Sequence, residues 1–159
     1  MKLVNECKQI QEDSTYTAEA HHLIAAGLSV KAFRCKFYPA LFALASALAL
    51  ILGVKDWVAW ITVISGTVVL YNVFVEPEKK AQQHVFAAKQ FTVLKHEARS
   101  LHESFKEFMA EMEFYHGVRV IREKYNLLVQ FSPPTDDKRV WDEARRKIKA
   151  GIHKPSYRN

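Results

Sequence analysis

Hydrophobic and polar positions divide the chain into one long apolar stretch and two polar flanks. Residues 37–54 and 57–75 are two uncharged runs, and only Lys55 and Asp56 separate them. As helices rising 1.5 Å per residue, the runs would span about 27–29 Å, close to the roughly 30 Å of a membrane's hydrocarbon core. The pattern predicts a helical hairpin that crosses the membrane twice. A buried hairpin of a soluble protein is the alternative, but a chain of 159 residues has little left to cover it.

The strongest periodicity follows the hairpin, where apolar residues alternate at spacings of three and four. This stripe consists of Phe91, Leu94, Ala98, Leu101, Phe105, Phe108, Met112 and Tyr115. It predicts a long coiled-coil-like helix within residues 76–131, with a seam that another helix must cover. The partner could be the N-terminal helix of the same chain, the same helix of another subunit, or both. After Gly117 the stripe resumes with a three-residue step, which indicates a stammer or a helix break at the glycine.

The N-terminal segment, residues 1–36, carries a weaker seam with a polar middle. It consists of Leu3, Cys7, Ile10, Ser14, Thr17, His21, Ile24 and Leu28. The spacing predicts a helix that packs, without a tight fit, against another helix. The STYT stretch at residues 14–17 could instead start a second helix.

The C-terminal segment, residues 132–159, holds eight basic and four acidic residues and therefore most of the net charge of +6. Thr135 is placed to cap a last helix that ends in basic residues. Anionic lipid head groups would attract this segment, and a solvated terminal helix explains its charge equally well. Nucleic acid is a less favoured partner, because the segment has only two aromatic residues.

Positive charges flank the hairpin on one side of the predicted membrane. They are Lys31, Arg34 and Lys36 before the first span, and Lys79 and Lys80 after the second. The connecting loop offers only Lys55, so the positive-inside rule predicts both termini in the cytoplasm. The predicted fold class is an all-α membrane protein, with a two-span transmembrane hairpin at 37–75 and a cytoplasmic helical bundle.

The two spans carry small and weakly polar residues at helical spacing. They are Ala45, Ala49 and Gly53 on the first span, and Thr62, Ser65, Gly66 and Asn72 on the second. Such faces let helix backbones approach closely within a membrane. They would either close the hairpin within one chain or assemble several subunits. Any pore would have to arise from oligomerisation, because neither span contains a charged path.

The sequence lacks the motifs that carry catalysis or metal binding. Its five glycines lie singly, so no phosphate-binding loop is formed, and no ligand spacing typical of a metal site occurs. His21 and His22 would point about 100° apart on a helix and could not easily bind one ion. We therefore predict no enzymatic activity, no metal and no cofactor, and assign His21 to a polar contact within the helix seam.

The segments AEAHHLIAAGLSVKAFRCKFYPAL and VFAAKQFTVLKHEARSL, on either side of two closely spaced spans, resemble the SLATT family. These are the SMODS- and SLOG-associating two-transmembrane effector domains of bacterial conflict systems, and the resemblance covers residues 1–128. It implies an anti-phage effector that oligomerises in the bacterial inner membrane and disrupts it or forms pores. Family members are associated with cyclic-nucleotide synthases, nucleotide-binding sensors or reverse transcriptases, which implies a nucleotide signal or a partner protein.

If the signal is an anionic nucleotide, the candidate ligand-binding residues are the cationic groups near the predicted membrane. They are His21, His22, Lys31, Arg34, Lys36, Lys95 and Arg99. Topology and contact with lipid head groups explain the same charges. A second hypothesis is a membrane scaffold or anchor subunit whose cytoplasmic coil recruits a soluble partner. A third is a soluble helical bundle with a buried hairpin and a basic tail on nucleic acid.

Overall fold

Every regular element is helical in the part of the chain that our computed structural model describes, residues 2–53 and 57–151. The elements are α1 (Lys2–Ile51), α2 (Val58–Val75), α3 (Pro77–Ser100), α4 (Glu111–Phe131) and α5 (Lys138–Lys149). A π-helical turn at Leu101–Phe105 and a 3₁₀ turn at Lys106–Phe108 follow α3. The predicted loop charge Lys55 and the tail beyond Gly151 lie outside the described residues.

The chain divides into two compact units. The bundle unit comprises Met1–Ala25 and Gln83–Asn159, and the hairpin unit comprises Ala26–Gln82. Because α1 and α3 are long, each of them supplies residues to both units. The hairpin unit therefore contains residues 26–36 and 76–82 in addition to the two apolar runs.

α1 is a single helix of 50 residues, whereas the apolar pattern predicted a change of element near residue 36. The hydroxyls of Thr15 and Thr17 each donate to the backbone carbonyl four residues earlier, so the STYT stretch continues the helix instead of starting another. Pro39 also lies inside α1. Its ring has no N–H, so the carbonyl four residues before it lacks the usual helical hydrogen bond.

The hairpin unit contains both apolar runs. By length and composition, the helices that begin at Lys2 and Val58 each have a segment able to cross a membrane. The hydroxyl of Ser65 in α2 donates to the backbone carbonyl of Pro39 in α1 over 3.3 Å. α2 ends where Glu76 adopts a left-handed conformation with φ of 45°, and Pro77 then begins α3. The chain therefore breaks between the second apolar run and α3, in keeping with the missing N–H of proline at a first helical position.

The bundle unit has one hydrophobic core, to which α1, α3, α4 and the π-helical turn contribute. Its buried residues are Cys7, Ile10, Leu94, Ala98, Leu101, Phe114, Val118 and Ile121. Half-exposed polar pairs tie the helices together at the edge of this core. Arg122 of α4 pairs with Glu6 of α1, and Lys124 of α4 pairs with Glu97 of α3 at 2.8 Å. Removing these apolar side chains from water is the main source of the unit's stability.

The predicted single helix over residues 76–131 is wrong, because the chain reverses between residues 101 and 110. Met109 and Ala110 are extended, and α4 then runs back against α3. The break does not fall at Gly117, which lies inside α4. No glycine or proline marks the reversal in the sequence, so the apolar spacing continued across it and imitated one helix.

Gly117 has a packing role in α4. A Cβ atom on this residue would lie 3.1 Å from Cδ1 of Leu101, closer than side chains normally approach. The missing side chain lets α4 pack directly against the buried Leu101. The glycine that looked like a helix break in the sequence therefore allows close contact between two segments.

α5 is capped by Asp137, whose carboxylate accepts the N–H of Arg139 over 2.9 Å. The predicted cap Thr135 has a different role, since its backbone carbonyl accepts the indole N–H of Trp141. Ala144 is fully buried, and Lys147 pairs with Glu19 of α1 over 3.1 Å. α5 therefore packs against α1 within the bundle unit.

Candidate functional site

A buried histidine pair joins α1 and α3 in the bundle unit. His21 is 1% exposed and His84 is 7% exposed, and their Nδ1 atoms lie 2.8 Å apart. The ring of His21 also stacks on Phe91, with centroids 5.7 Å apart and planes 15° apart. The heptad position of His21 places it in the seam, as expected for a polar contact between helices. His84 was not recognised in the sequence, because its partner lies 63 residues away along the chain.

The histidine pair holds a hydrogen bond only while at least one imidazole is neutral, since one Nδ1 must donate and the other accept. Burial lowers the pKa of His21 to about 4, and the charges of His84 and His22 add to the effect. Burial likewise lowers the pKa of His84. The pair is therefore neutral at pH 7, and its hydrogen bond holds α1 against α3. Among residues 2–53 and 57–151, no three His, Cys, Asp or Glu side chains are grouped as a metal site requires.

The predicted ligand-binding residues of the bundle unit occupy different environments. His21 is buried, whereas His22 is exposed. Lys95 and Arg99 lie one turn apart on α3 and are half-buried, and Arg99 donates to the carboxylate of Glu103 over 2.7 Å. Burial lowers the pKa of Lys95, and the nearby charge of Arg99 adds to this. Lys95 and Arg99 thus form a small cationic patch on α3, where a bound anion would stabilise both charges.

The other predicted ligand-binding residues, Lys31, Arg34 and Lys36, belong to the hairpin unit. All three are exposed on α1, and Lys36 pairs with Glu78 at the start of α3. Exposed cations just before an apolar run are suited to anionic head groups or to a soluble anion.

The predicted small-residue faces of the spans behave differently in the two helices. Gly53 lies beyond the end of α1, with φ of 78°, so its predicted place on a helical face with Ala45 and Ala49 is wrong. Glycine is favoured there because L side chains rarely adopt that backbone conformation. On α2, Gly66 is exposed, and a Cβ atom there would meet no packing neighbour within 4 Å in the described part of the chain.

Two hydroxyls of the polar stripe of α2 form hydrogen bonds within the hairpin unit. The hydroxyl of Thr62 donates to a carbonyl of its own helix, and Ser65 contacts α1 as described above. The backbone carbonyl of Asn72 accepts the N–H of Glu76 at the end of the helix. Gly66 lies on this helix and has open space beside it in the described part of the chain.

The predicted oligomer seam divides into a buried and an exposed half. Phe91, Leu94, Ala98 and Leu101 are buried in the core of the bundle unit. Phe105, Phe108, Met112 and Tyr115 are exposed, at 55%, 87%, 67% and 45% respectively. The first half is covered by α1 and α4 of the same chain, so those four side chains are not free to meet another subunit.

An apolar groove between α3 and α4 is a feature that the sequence did not reveal. It has a volume of about 790 Å³, and Val93, Phe105, Met109 and Val120 provide much of its apolar surface. A second groove of about 360 Å³ adjoins it and shares Val93 and Glu97 with it. The groove exists only because α4 folds back beside α3, so linear periodicity could not show it.

Comparisons of the chain with protein-family models, curated proteins and solved structures find no match.

Proposed function

We propose that this chain is a two-span membrane effector of the SLATT type, which assembles in a bacterial inner membrane and permeabilises it under nucleotide-linked control. The observation that carries the proposal is the surface of α2, an 18-residue apolar helix with no buried residue in the described chain. A surface of this size and hydropathy is suited to lipid or to other apolar helices, and in water it would drive aggregation. The cations on α1 before the first run, and Lys79 and Lys80 after the second, support cytoplasmic termini.

Assembly would use the open face around Gly66. Because a Cβ atom on this glycine would meet no packing neighbour within 4 Å among the described residues, the backbone of α2 can approach another helix closely. Several hairpins packed in this way would line a passage of weak selectivity, since the apolar run of α2 contains no charged residue. The subunits would thus form the pore together.

Control would act on the helices themselves or through a partner protein such as a nucleotide synthase or sensor. An anionic nucleotide would contact either of two groups of cations. One is the cationic patch of Lys95 and Arg99, and the other consists of the exposed residues Lys31, Arg34 and Lys36. A signal bound there would shift the packing of the helical units and with it the state of the hairpin. These same cations also suit anionic lipid head groups, so nucleotide and lipid would compete for them.

The test is inducible expression in bacteria, with membrane potential followed by a voltage-sensitive dye. We expect wild type to depolarise the membrane and Gly66→Leu to abolish the effect at equal protein level, because leucine would keep the spans apart. Gly27→Leu is the matched control, since Gly27 also has no atom within 4 Å of a built Cβ but lies outside the apolar runs. Absence of depolarisation, with and without cyclic nucleotides, would overturn the proposal.

A membrane scaffold is the second candidate function. The exposed groove between α3 and α4 favours it, because an apolar channel on a helical bundle can receive a helix of a soluble partner. Such a protein would reach the membrane fraction and leave the potential unchanged. Depolarisation therefore separates the two candidates.

A further inference from the structure

The groove between α3 and α4 is exposed along much of the length of α4. Side chains on its two walls are half or more exposed although they are apolar: Val93 at 55%, Val120 at 50%, Leu127 at 54% and Phe131 at 78%. The lining of the two adjoining grooves runs from Glu113 to Phe131, which is about 27 Å of helix. A surface of this length can accommodate a helix along it.

The described part of the chain does not fill this groove with α5. That helix lies against α1, where Ala144 is buried and Lys147 reaches Glu19. Among the described residues of a single copy, the apolar walls of α3 and α4 therefore remain exposed.

Residues of the two groove walls lie opposite each other in layers along the helix axes, each layer here called a level. α3 and α4 run antiparallel, and the pair Glu97–Lys124 at 2.8 Å fixes their register. One turn away along the groove, Val93 and Leu127 line the same cavity. The apolar level of Val93 and Leu127 thus lies one turn from the charged level, in which the acidic residue Glu97 belongs to α3 and the basic residue Lys124 to α4.

We propose that this groove receives the same groove of a second copy, with the two α3–α4 pairs side by side about a twofold axis along the helices. Rotation about such an axis leaves each residue at its level. α3 of one copy then packs against α4 of the other, Val93 meets Leu127, and Glu97 meets Lys124. The arrangement is self-complementary in both apolar surface and charge.

Glu97 and Lys124, which pair within one copy, can each form a second ion pair with the other copy. In a single copy the side chains of Glu97 and Lys124 remain 38% and 50% exposed, so each can also reach its counterpart in the other copy. The four charges would alternate around the interface. The pairing rests on the proposed function in one respect, namely that the two copies are inserted into one membrane and can meet there.

A charge-swap mixing experiment on the full-length chain tests this interface. Glu97→Lys and Lys124→Glu each place like charges at the charged level, within a copy and between identical copies. Mixing the two variants restores opposite charges only between different copies, because the pair inside each chain stays like-charged. With two affinity tags and co-expression, we expect mixed oligomers to exceed statistical mixing by about fivefold, and each variant alone to assemble less than wild type.

The matched control is the pair Arg119–Glu123, which lies at 2.9 Å on another face of α4. Arg119→Glu and Glu123→Arg should mix statistically. Oligomers that show no preference between the Glu97 and Lys124 variants would overturn the groove interface while leaving subunit assembly in place. A monomeric wild type in detergent and in nanodiscs would overturn both, whereas the depolarisation assay judges membrane permeabilisation separately.

Discussion

The bundle unit and the hairpin unit differ in the fate of their apolar side chains. Phe91 in the bundle unit is fully buried, whereas Phe74 in the hairpin unit is 83% exposed, and Leu94 and Leu44 differ in the same way at 2% and 59%. Both units are helical and both contain apolar residues. The bundle unit therefore buries a hydrophobic core within the chain and leaves the groove walls exposed, whereas α2 of the hairpin unit has no buried residue in the described part of the chain.

The largest expected contrast concerns one leucine from each unit. Leu94→Ala should destabilise the bundle unit by about 2–5 kcal/mol, because it leaves a cavity in the core. Leu44→Ala should change the same transition by less than about 0.5 kcal/mol, because Leu44 is exposed in the hairpin unit. Denaturant unfolding in detergent, followed by Trp141 fluorescence after Trp57 and Trp60 are replaced by phenylalanine, measures both. Equal losses would show that the two units do not differ in this way.

Acidification should weaken the bundle unit through its histidine pair. The pKa of His21 falls from 6.5 unfolded to about 4 folded, so the unfolded chain binds more protons between these values. Stability is then fully present above about pH 6.5 and declines towards pH 4, by an amount of order 3 kcal/mol at most. The same fluorescence measurement at several pH values checks this.

His21→Leu should make that pH profile shallower, because the variant loses one of the two histidines whose pKa is lowered by burial. His116→Leu, at an exposed position of α4, should leave the profile unchanged. A wild-type stability that is constant or rises on acidification would contradict the assignment of a neutral pair.

The smallest contrast concerns two glycines. Gly117→Val should destabilise the bundle unit by about 1–3 kcal/mol, since its side chain would collide with the buried Leu101. Gly66→Val has no collision within the chain, so the same unfolding transition should stay unchanged. An unaltered transition for Gly117→Val would mean that α4 does not pack closely at this point.

Helices form where apolar residues recur at spacings of three and four, and the sequence shows this spacing directly. The predicted helices therefore agree with the structure where neighbouring turns of one helix share a buried face. The stripe from Phe91 to Leu101 is buried, and the helix around His21 packs as expected. The stripe failed beyond Leu101, where Phe105 and Phe108 continue the spacing into a reversal that carries no glycine or proline. Spacing reports which residues could share a face, but it does not report where a chain turns back.

The candidate sites depend on contacts between distant segments and were therefore harder to predict. His84 is an ordinary residue of α3 until α1 brings His21 within hydrogen-bonding distance. The groove walls Val93 and Leu127 form a surface only after α4 returns beside α3. Gly53 was placed on a helical face because its spacing fits, although its positive φ takes it out of the helix. The cations that flank the apolar runs, in contrast, can be identified from their positions in the sequence alone.

Alkaline carbonate extraction of membranes from cells that express the full chain tests whether the hairpin spans a membrane. We expect the chain to stay in the membrane pellet, because no residue of α2 is buried in the described part of the chain, so lipid and other spans would cover its apolar surface. A peripheral membrane protein, released by the same treatment, serves as the control. Recovery of the folded chain in the carbonate supernatant would contradict a membrane-spanning hairpin.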